Sequence, residues 1–175
     1  AKLYMLYEAV AFPFLPFYKA RNPVGSCVPI YLAQLLLALE MIDLHSGVGF
    51  RLTGDRIYVN GAGRVQVLCM NDWPRSEKGK EEDIQQGLRY SSLMYSSPER
   101  LRGQSEATDI WWSFGIICYQ LLCGRQPFPD ESVHNIFQLM NPSFSFRIPP
   151  FVGGAAKDLL QALLHPNVEL RLVKP

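Results

Sequence analysis

The chain has 175 residues, of which 48% are hydrophobic and 12% aromatic, so it can bury one sizeable core and has an ordinary size for a single domain. Seventeen basic and sixteen acidic residues give a net charge of +1, which offers no electrostatic basis for a nucleic-acid or membrane-surface function. The longest apolar run, residues 110–123, is shorter than the roughly 20 residues of a transmembrane helix. These properties favour one compact domain with no transmembrane segment.

The four cysteines are scattered along the sequence and form no C-x-x-C pair. They are Cys27, Cys69, Cys118 and Cys123. This spacing argues against a zinc site or a disulfide framework. We therefore expect reduced thiols and an intracellular, cytoplasmic protein.

The first half of the chain alternates short apolar segments with one long apolar stretch. Residues 3–10 are typical of a buried strand, and two prolines soon after it exclude a long regular element there. Residues 29–45 predict a helix buried on most sides, with an apolar face made by Ile30, Ala33, Leu36, Leu37 and Met41 and widened by Leu35, Leu39 and Leu44. Residues 56–60 and 64–68 predict a β-hairpin, because the Gly-rich turn between them tolerates positive φ.

The second half opens with a polar stretch and then becomes helical. Residues 72–89 are charged and contain two glycines, which predicts a long loop. Residues 109–122, 133–140 and 155–164 predict helices separated by Pro-rich and Gly-rich connections. The fold class expected is therefore mainly α, with a short strand and a small hairpin.

Three separate motifs carry a resemblance to a known family. Residues 95–99 read Y-S-S-P-E, residues 109–115 read D-I-W-W-S-F-G, and residues 124–128 read G-R-Q-P-F. In this order they resemble the large, C-terminal lobe of eukaryotic protein kinases, and the W-W-S-F-G wording resembles the AGC group with its ribosomal-protein-kinase-like members. The likeness extends more weakly to residues 3–8, 39–47 and 163–172. It implies a kinase-like large lobe over residues 1–175 from the hinge strand onward, without the small N-terminal lobe.

The resemblance also assigns structural roles to three charged residues. Glu99 and Arg171 match the glutamate and arginine that form a buried ion pair in the family. Asp109 matches the aspartate that holds the catalytic-loop backbone, and we expect its carboxylate to cap its own helix. One extra residue before Ser113 leaves a second match open, in which Ile110 takes the position of Asp109.

The positions that carry chemistry in the family hold unsuitable residues in this sequence. The resemblance places Leu52 at the catalytic base, Arg56 at the metal-binding asparagine and Cys69 at the metal-binding aspartate. Leucine cannot accept a proton, a cation repels Mg²⁺, and a neutral thiol is a poor ligand for a hard cation. The resemblance therefore implies a degenerate catalytic site with no catalytic residue and no metal ligand.

Other alignments of this region remain open at the level of the sequence. An ungapped count from Ile57 places Arg51 at the base position, which is no better chemically. Asp72 reaches the metal position only if the hairpin is three residues longer than in the family, and Asp55 requires a shift of three residues in a tight loop. Neither shift repairs the other position.

Nucleotide binding is expected to be weak at most. The resemblance places backbone groups of Glu8 and Val10 opposite an adenine, and Tyr58 at the floor of the adenine pocket, where a phenol partly fills the space. We therefore expect no cofactor, with weak ATP binding as the remaining possibility and no Mg²⁺.

These residues favour a pseudokinase that works through other proteins, as an interaction scaffold or an allosteric regulator in intracellular signalling. An active but divergent ATP-dependent serine/threonine kinase that uses Asp72 or Asp55 is the alternative. A purely structural helical domain is a third interpretation. Nucleic acid is not an expected partner.

Overall fold

The computed structural model describes residues 12–13, 27–46, 51–68, 93–104, 108–128, 141 and 144–172. In these ranges the helices are α1 (Val28–Ser46), α2 (Pro98–Leu101), α3 (Asp109–Cys123) and α4 (Gly154–Leu163). The strands are β1 (Phe12–Pro13), β2 (Ile57–Val59) and β3 (Val65–Val67), and two 3-10 turns span Gly54–Arg56 and Val168–Leu170. The mainly α fold and three of the predicted helices are confirmed; the strand at 3–10, the loop at 72–89 and the helix at 133–140 lie outside the described residues.

Helix α3 forms the centre of the hydrophobic core. Every residue from Asp109 to Cys123 is buried except Leu122, and the helix contacts both α1 and α4. Gly115 allows the close approach of α4, because a Cβ at this position would lie 2.8 Å from Leu164 Cδ2 and 3.1 Å from Leu163 Cβ. Gly124, with a left-handed φ of 66°, ends the helix.

The predicted hairpin is present and pairs with a third, two-residue strand. The strand order is β1-β2-β3, all antiparallel, and Pro13 lies in the edge strand, where a missing N–H is tolerated. In the turn, Asn60 Oδ1 accepts hydrogen bonds from the backbone N–H groups of Ala62 and Arg64, each at 3.0 Å. Gly63 adopts the predicted positive φ, 75°.

Helix α1 buries only part of the apolar surface predicted to be buried. Leu35 and Leu39 are completely buried, whereas Ile30, Leu37 and Met41 are 59%, 63% and 58% exposed. The prediction of burial on most sides is therefore wrong. Because apolar residues surround this helix, their periodicity could not select a face; the contacts with α3 and β3 select it instead, and Gln34 Oε1 on α1 accepts a 2.9 Å bond from the Val65 N–H.

Candidate functional site

The hairpin fixes the register at the proposed metal-binding positions. Ile57 pairs with Val67, and the Leu68 N–H donates to the Arg56 carbonyl at 2.8 Å. Residue 69 therefore follows directly after a residue that is hydrogen-bonded to Arg56. Cys69 and Asp72 themselves lie outside the described residues.

The loop before the hairpin has one buried side and one accessible side. Leu52 is only 1% exposed and belongs to the core, and Thr53 is also buried. Arg51 and Arg56 are half-buried, and Asp55 is exposed in the 3-10 turn. A catalytic base must reach its substrate, so a residue buried as fully as Leu52 is poorly placed for that role.

Tyr58 lies between two core residues on strand β2. Ile57 and Val59 are buried, while Tyr58 is half-buried, because alternate side chains of a strand point to opposite faces. The assignment of Tyr58 to an adenine-pocket floor stays a prediction. The hinge assignments of Glu8 and Val10 fall outside the described residues.

The Glu99–Arg171 ion pair that the kinase resemblance implies is present. Arg171 Nη1 and Nη2 donate to Glu99 Oε2 and Oε1 at 2.9 and 3.0 Å, and both residues are buried. Arg171 Nε also donates to the His165 carbonyl at 2.9 Å. This two-pronged geometry is the strongest arrangement available to an arginine and a carboxylate.

An aromatic ring completes the surroundings of this ion pair. The Arg171 guanidinium carbon lies 4.7 Å from the centroid of the fully buried Trp112 ring, a distance typical of a cation–π contact. Burial acts to raise the pKa of Glu99, but the hydrogen bonds and the positive charge from Arg171 outweigh it and hold the pKa below its usual value of 4.5. Glu99 is thus ionised at neutral pH despite its burial.

Asp109 does not cap its helix, so that prediction is wrong. The residue before the helix is Thr108, which makes no side-chain cap bond, and Asp109 is the first helical residue. Its carboxylate instead accepts a short hydrogen bond from Ser97 Oγ and pairs with Arg100 Nη1 at 3.4 Å. The competing interaction with Ser97 and Arg100 turns the carboxylate toward α2, and the buried Asp109 thereby joins α2 to α3.

Tyr95, the first residue of the motif at 95–99, and Gln120, which had no role in the sequence analysis, connect the same elements. Tyr95 Oη donates to Gln120 Oε1 at 3.2 Å, while the Tyr95 carbonyl accepts from Ser113 Oγ at 2.8 Å. Burial raises the pKa of Tyr95, so the phenol stays neutral. The segment at 95–99 is therefore anchored to the central helix.

The role of Ser97 among these hydrogen bonds could be predicted from the local sequence. Ser97 precedes Pro98, and its Oγ accepts from the Arg100 N–H at 3.1 Å as the N-cap of α2; a serine followed by proline is a common helix start. The Tyr95–Gln120 contact spans 25 residues and has no such signal.

The described residues of this site do not fit a Mg²⁺ ion, the metal that the kinase resemblance implies. Mg²⁺ prefers six oxygen ligands in octahedral geometry. Residues 51–68 contain one carboxylate, Asp55, which is next to the cationic Arg56. In the ranges that the structure covers, no three His, Cys, Asp or Glu side chains cluster as a metal site, and no helix there combines the length and apolarity needed to cross a membrane.

Comparison with known proteins identifies the family. The model for the protein kinase domain matches residues 69–174. The chain is 32% identical to a RAC family serine/threonine-protein kinase homolog of Dictyostelium discoideum, over 85% of this chain and 33% of that protein. It is 30% identical to protein kinase 2 of the same organism, over 98% of this chain and 35% of that protein.

A human relative gives the same result. Ribosomal protein S6 kinase alpha-2 of Homo sapiens is 31% identical over 80% of this chain and 19% of that protein. The chain thus spans about a third or less of the length of these three relatives. The family match over more than half of the chain, together with these relatives, shows that the chain belongs to the protein kinase family, in its AGC-like branch.

Proposed function

We propose that this kinase-family domain is catalytically impaired and acts in intracellular, cytoplasmic signalling as a protein-interaction scaffold or an allosteric regulator. The observation that carries the proposal is the composition of the loop at residues 51–56, where the candidate base Leu52 is buried in the core and the flanking partly exposed side chains are Arg51 and Arg56. Neither leucine nor arginine accepts a substrate proton at neutral pH.

The burial pattern favours the alignment in which Arg51, rather than Leu52, takes the base position. Arg51 is half-buried, so it faces a more accessible environment than Leu52. Both alignments leave Arg56 at the metal-binding asparagine. A guanidinium there opposes the binding of Mg²⁺, and phosphoryl transfer depends on metal positioning and charge neutralisation.

The hairpin register supports the assignment of Cys69 to the position of the family's metal-binding aspartate. Because Leu68 is hydrogen-bonded to Arg56 and the strands pair from Ile57–Val67 to Val59–Val65, the hairpin has no room for three further residues before position 69. Cys69 remains the residue proposed for the metal-binding aspartate, and the use of Asp72 requires a different path after Leu68. The range matched by the family model also begins only at residue 69.

The alternative function is an active, divergent serine/threonine kinase, and the exposure of Asp55 favours it. This carboxylate lies in the 3-10 turn, immediately before Arg56, and could accept a proton. It leaves the metal-binding position occupied by arginine, so this alternative has a candidate base but no candidate metal ligands among the described residues.

The decisive experiment measures Mg²⁺-dependent phosphate transfer and thermal stability of the full-length protein with ATP. We expect no transfer to a general protein substrate and no Mg²⁺-dependent rise in melting temperature. Transfer that is abolished by Asp55→Ala, but retained by Asp158→Ala on the exposed face of α4, would establish the alternative. Transfer that survives both substitutions would also reject the proposed impairment.

A further inference from the structure

A cleft on the side of the lobe formed by the end of α3 combines apolar walls with two arginines. It has a volume of about 510 Å³ and is lined by Cys123, Arg125 and residues 147–151. We call it the arginine cleft. Its size falls within the range of roughly 300–1,000 Å³ that is usual for ligand sites.

The charge of the arginine cleft is of one sign. Arg125 and Arg147 are both exposed, and no acidic residue is among the described residues that line the cleft. Burial raises the pKa of the Cys123 thiol, so this residue adds no negative charge. Within the described part of the chain, the Arg147 guanidinium makes no ion pair. Among the described residues, the cleft therefore presents two positive charges and no negative one, in a chain whose net charge is only +1.

The backbone holds these arginines in place. The Arg147 carbonyl accepts hydrogen bonds from Tyr119 Oη at 2.7 Å and from Arg125 Nη2 at 3.1 Å. Tyr119 belongs to the buried central helix, so the segment at 147–149 is anchored to the core. A guanidinium carries five N–H donors, more than the one that Arg125 gives to the Arg147 carbonyl.

The rest of the lining suits an apolar side chain. Ile148, Pro149 and Pro150 present no side-chain hydrogen-bonding group, and Phe151 is 72% exposed. Phenylalanine and arginine are both enriched in protein–protein interfaces, and both line this cleft. Apolar contact and charge complementarity are thus available at the same place.

We propose that the arginine cleft docks a linear segment of a partner protein in which Asp or Glu carboxylates lie beside an apolar side chain. The carboxylates pair with Arg125 and Arg147, and the apolar side chain packs against Ile148 and Phe151. The proposal goes beyond the impaired-kinase proposal and does not depend on it, because the cleft shares no residue with the catalytic loop or the hairpin.

The test is fluorescence-anisotropy titration of the full chain with a short peptide that carries consecutive glutamates beside one phenylalanine. We expect saturable binding that weakens as the salt concentration rises, and a loss of about tenfold or more on Arg147→Glu, since like charges then face each other. Phe151→Ala, at an exposed position that leaves the fold intact, should also weaken binding.

Matched controls separate this site from general attraction to positive charge. Arg64→Glu makes the same charge change in the hairpin turn, at an exposed residue away from the cleft, and should change binding less than twofold. Equal losses for Arg147→Glu and Arg64→Glu would overturn the proposal, as would equal affinity for a peptide with glutamines in place of the glutamates. Binding seen only after phosphoserines replace the glutamates would overturn the assignment to carboxylates.

Discussion

Two regions of this domain differ in how their side chains are paired. One is the contact between Glu99 and Arg171, and the other is the loop that carries Leu52 and Arg56. In the first, a buried charge meets a complete set of partners at 2.9–3.0 Å beneath the Trp112 ring. In the second, the residues proposed for the family's catalytic positions are the buried Leu52 and the half-buried Arg56. The first region stabilises the fold, and the second is the region on which the proposal of catalytic impairment rests.

The difference reflects how tightly stability constrains each region. An unpaired buried charge destabilises a fold by several kcal/mol, so neither Glu99 nor Arg171 can change alone without a large loss. Substitutions at exposed positions such as Asp55 usually change stability by about 0.5 kcal/mol or less. Catalytic residues can therefore be replaced with little effect on the fold.

A carboxylate at position 52 should cause the largest change in the free energy of unfolding and so gives the strongest test of the difference between the two regions. We expect Leu52→Asp to destabilise the domain by about 5 kcal/mol or to prevent folding, because it loses a buried leucine, worth roughly 2–5 kcal/mol, and buries an unpaired charge. Arg51→Asp, at a half-buried position, should cost about 1 kcal/mol or less. Urea denaturation followed by tryptophan fluorescence measures both.

The paired result also tests the choice between the two alignments. A stable Leu52→Asp variant with an unstable Arg51→Asp variant would contradict the burial argument and return Leu52 to the base position. The opposite result would support Arg51 there.

The second prediction concerns the loss of one partner from the Glu99–Arg171 ion pair. Arg171→Ala should lower the free energy of unfolding by about 3–5 kcal/mol, since Glu99 is left buried without its partner. Arg64→Ala in the exposed hairpin turn is the control and should change stability by about 0.5 kcal/mol or less. If both variants unfold at the same urea concentration, the pair does not stabilise the lobe.

The smallest expected effect is the pH dependence of the unfolding free energy that arises from Glu99. The folded pKa of Glu99 lies below its usual value of 4.5, so the unfolded chain takes up the proton first as pH falls, and ionised Glu99 favours the folded state. Its contribution is complete above the usual pKa and is lost as pH falls from there through the folded pKa. Unfolding free energies of wild type and Glu99→Gln should therefore converge in acid, and a constant difference across this range would disprove the coupling.

Local signals and family likeness together predicted much of this fold. The hairpin followed from alternating apolar residues and the Gly63 turn, and α3 followed from its long apolar run. The Glu99–Arg171 pair came from the resemblance, because nothing in the local sequence brings together residues that are 72 positions apart. Burial of the core aromatics was equally predictable, since large apolar rings favour the core.

Other features required three dimensions. Helix α1 is apolar on all sides, so only the positions of α3 and β3 determine that Leu35 and Leu39 are buried while Leu37 is exposed. The sequence led us to expect that the Asp109 carboxylate caps its own helix, and only the proximity of Ser97 in the fold shows that it joins α2 to α3 instead. The burial of Leu52, which bears on the catalytic alignment, likewise depends on packing and not on spacing.

The separation of Glu99 and Arg171 along the chain has a consequence for biosynthesis. Domains generally fold as units, and closing a loop of this length carries an entropic cost that local helices do not bear. Glu99 is synthesised 72 residues before its partner, so the segments that form α2, α3 and α4 are all translated before the charge can be neutralised. A nascent chain that stops short of Arg171 thus cannot bury Glu99 favourably, and the burial of Glu99 is coupled to translation of Arg171.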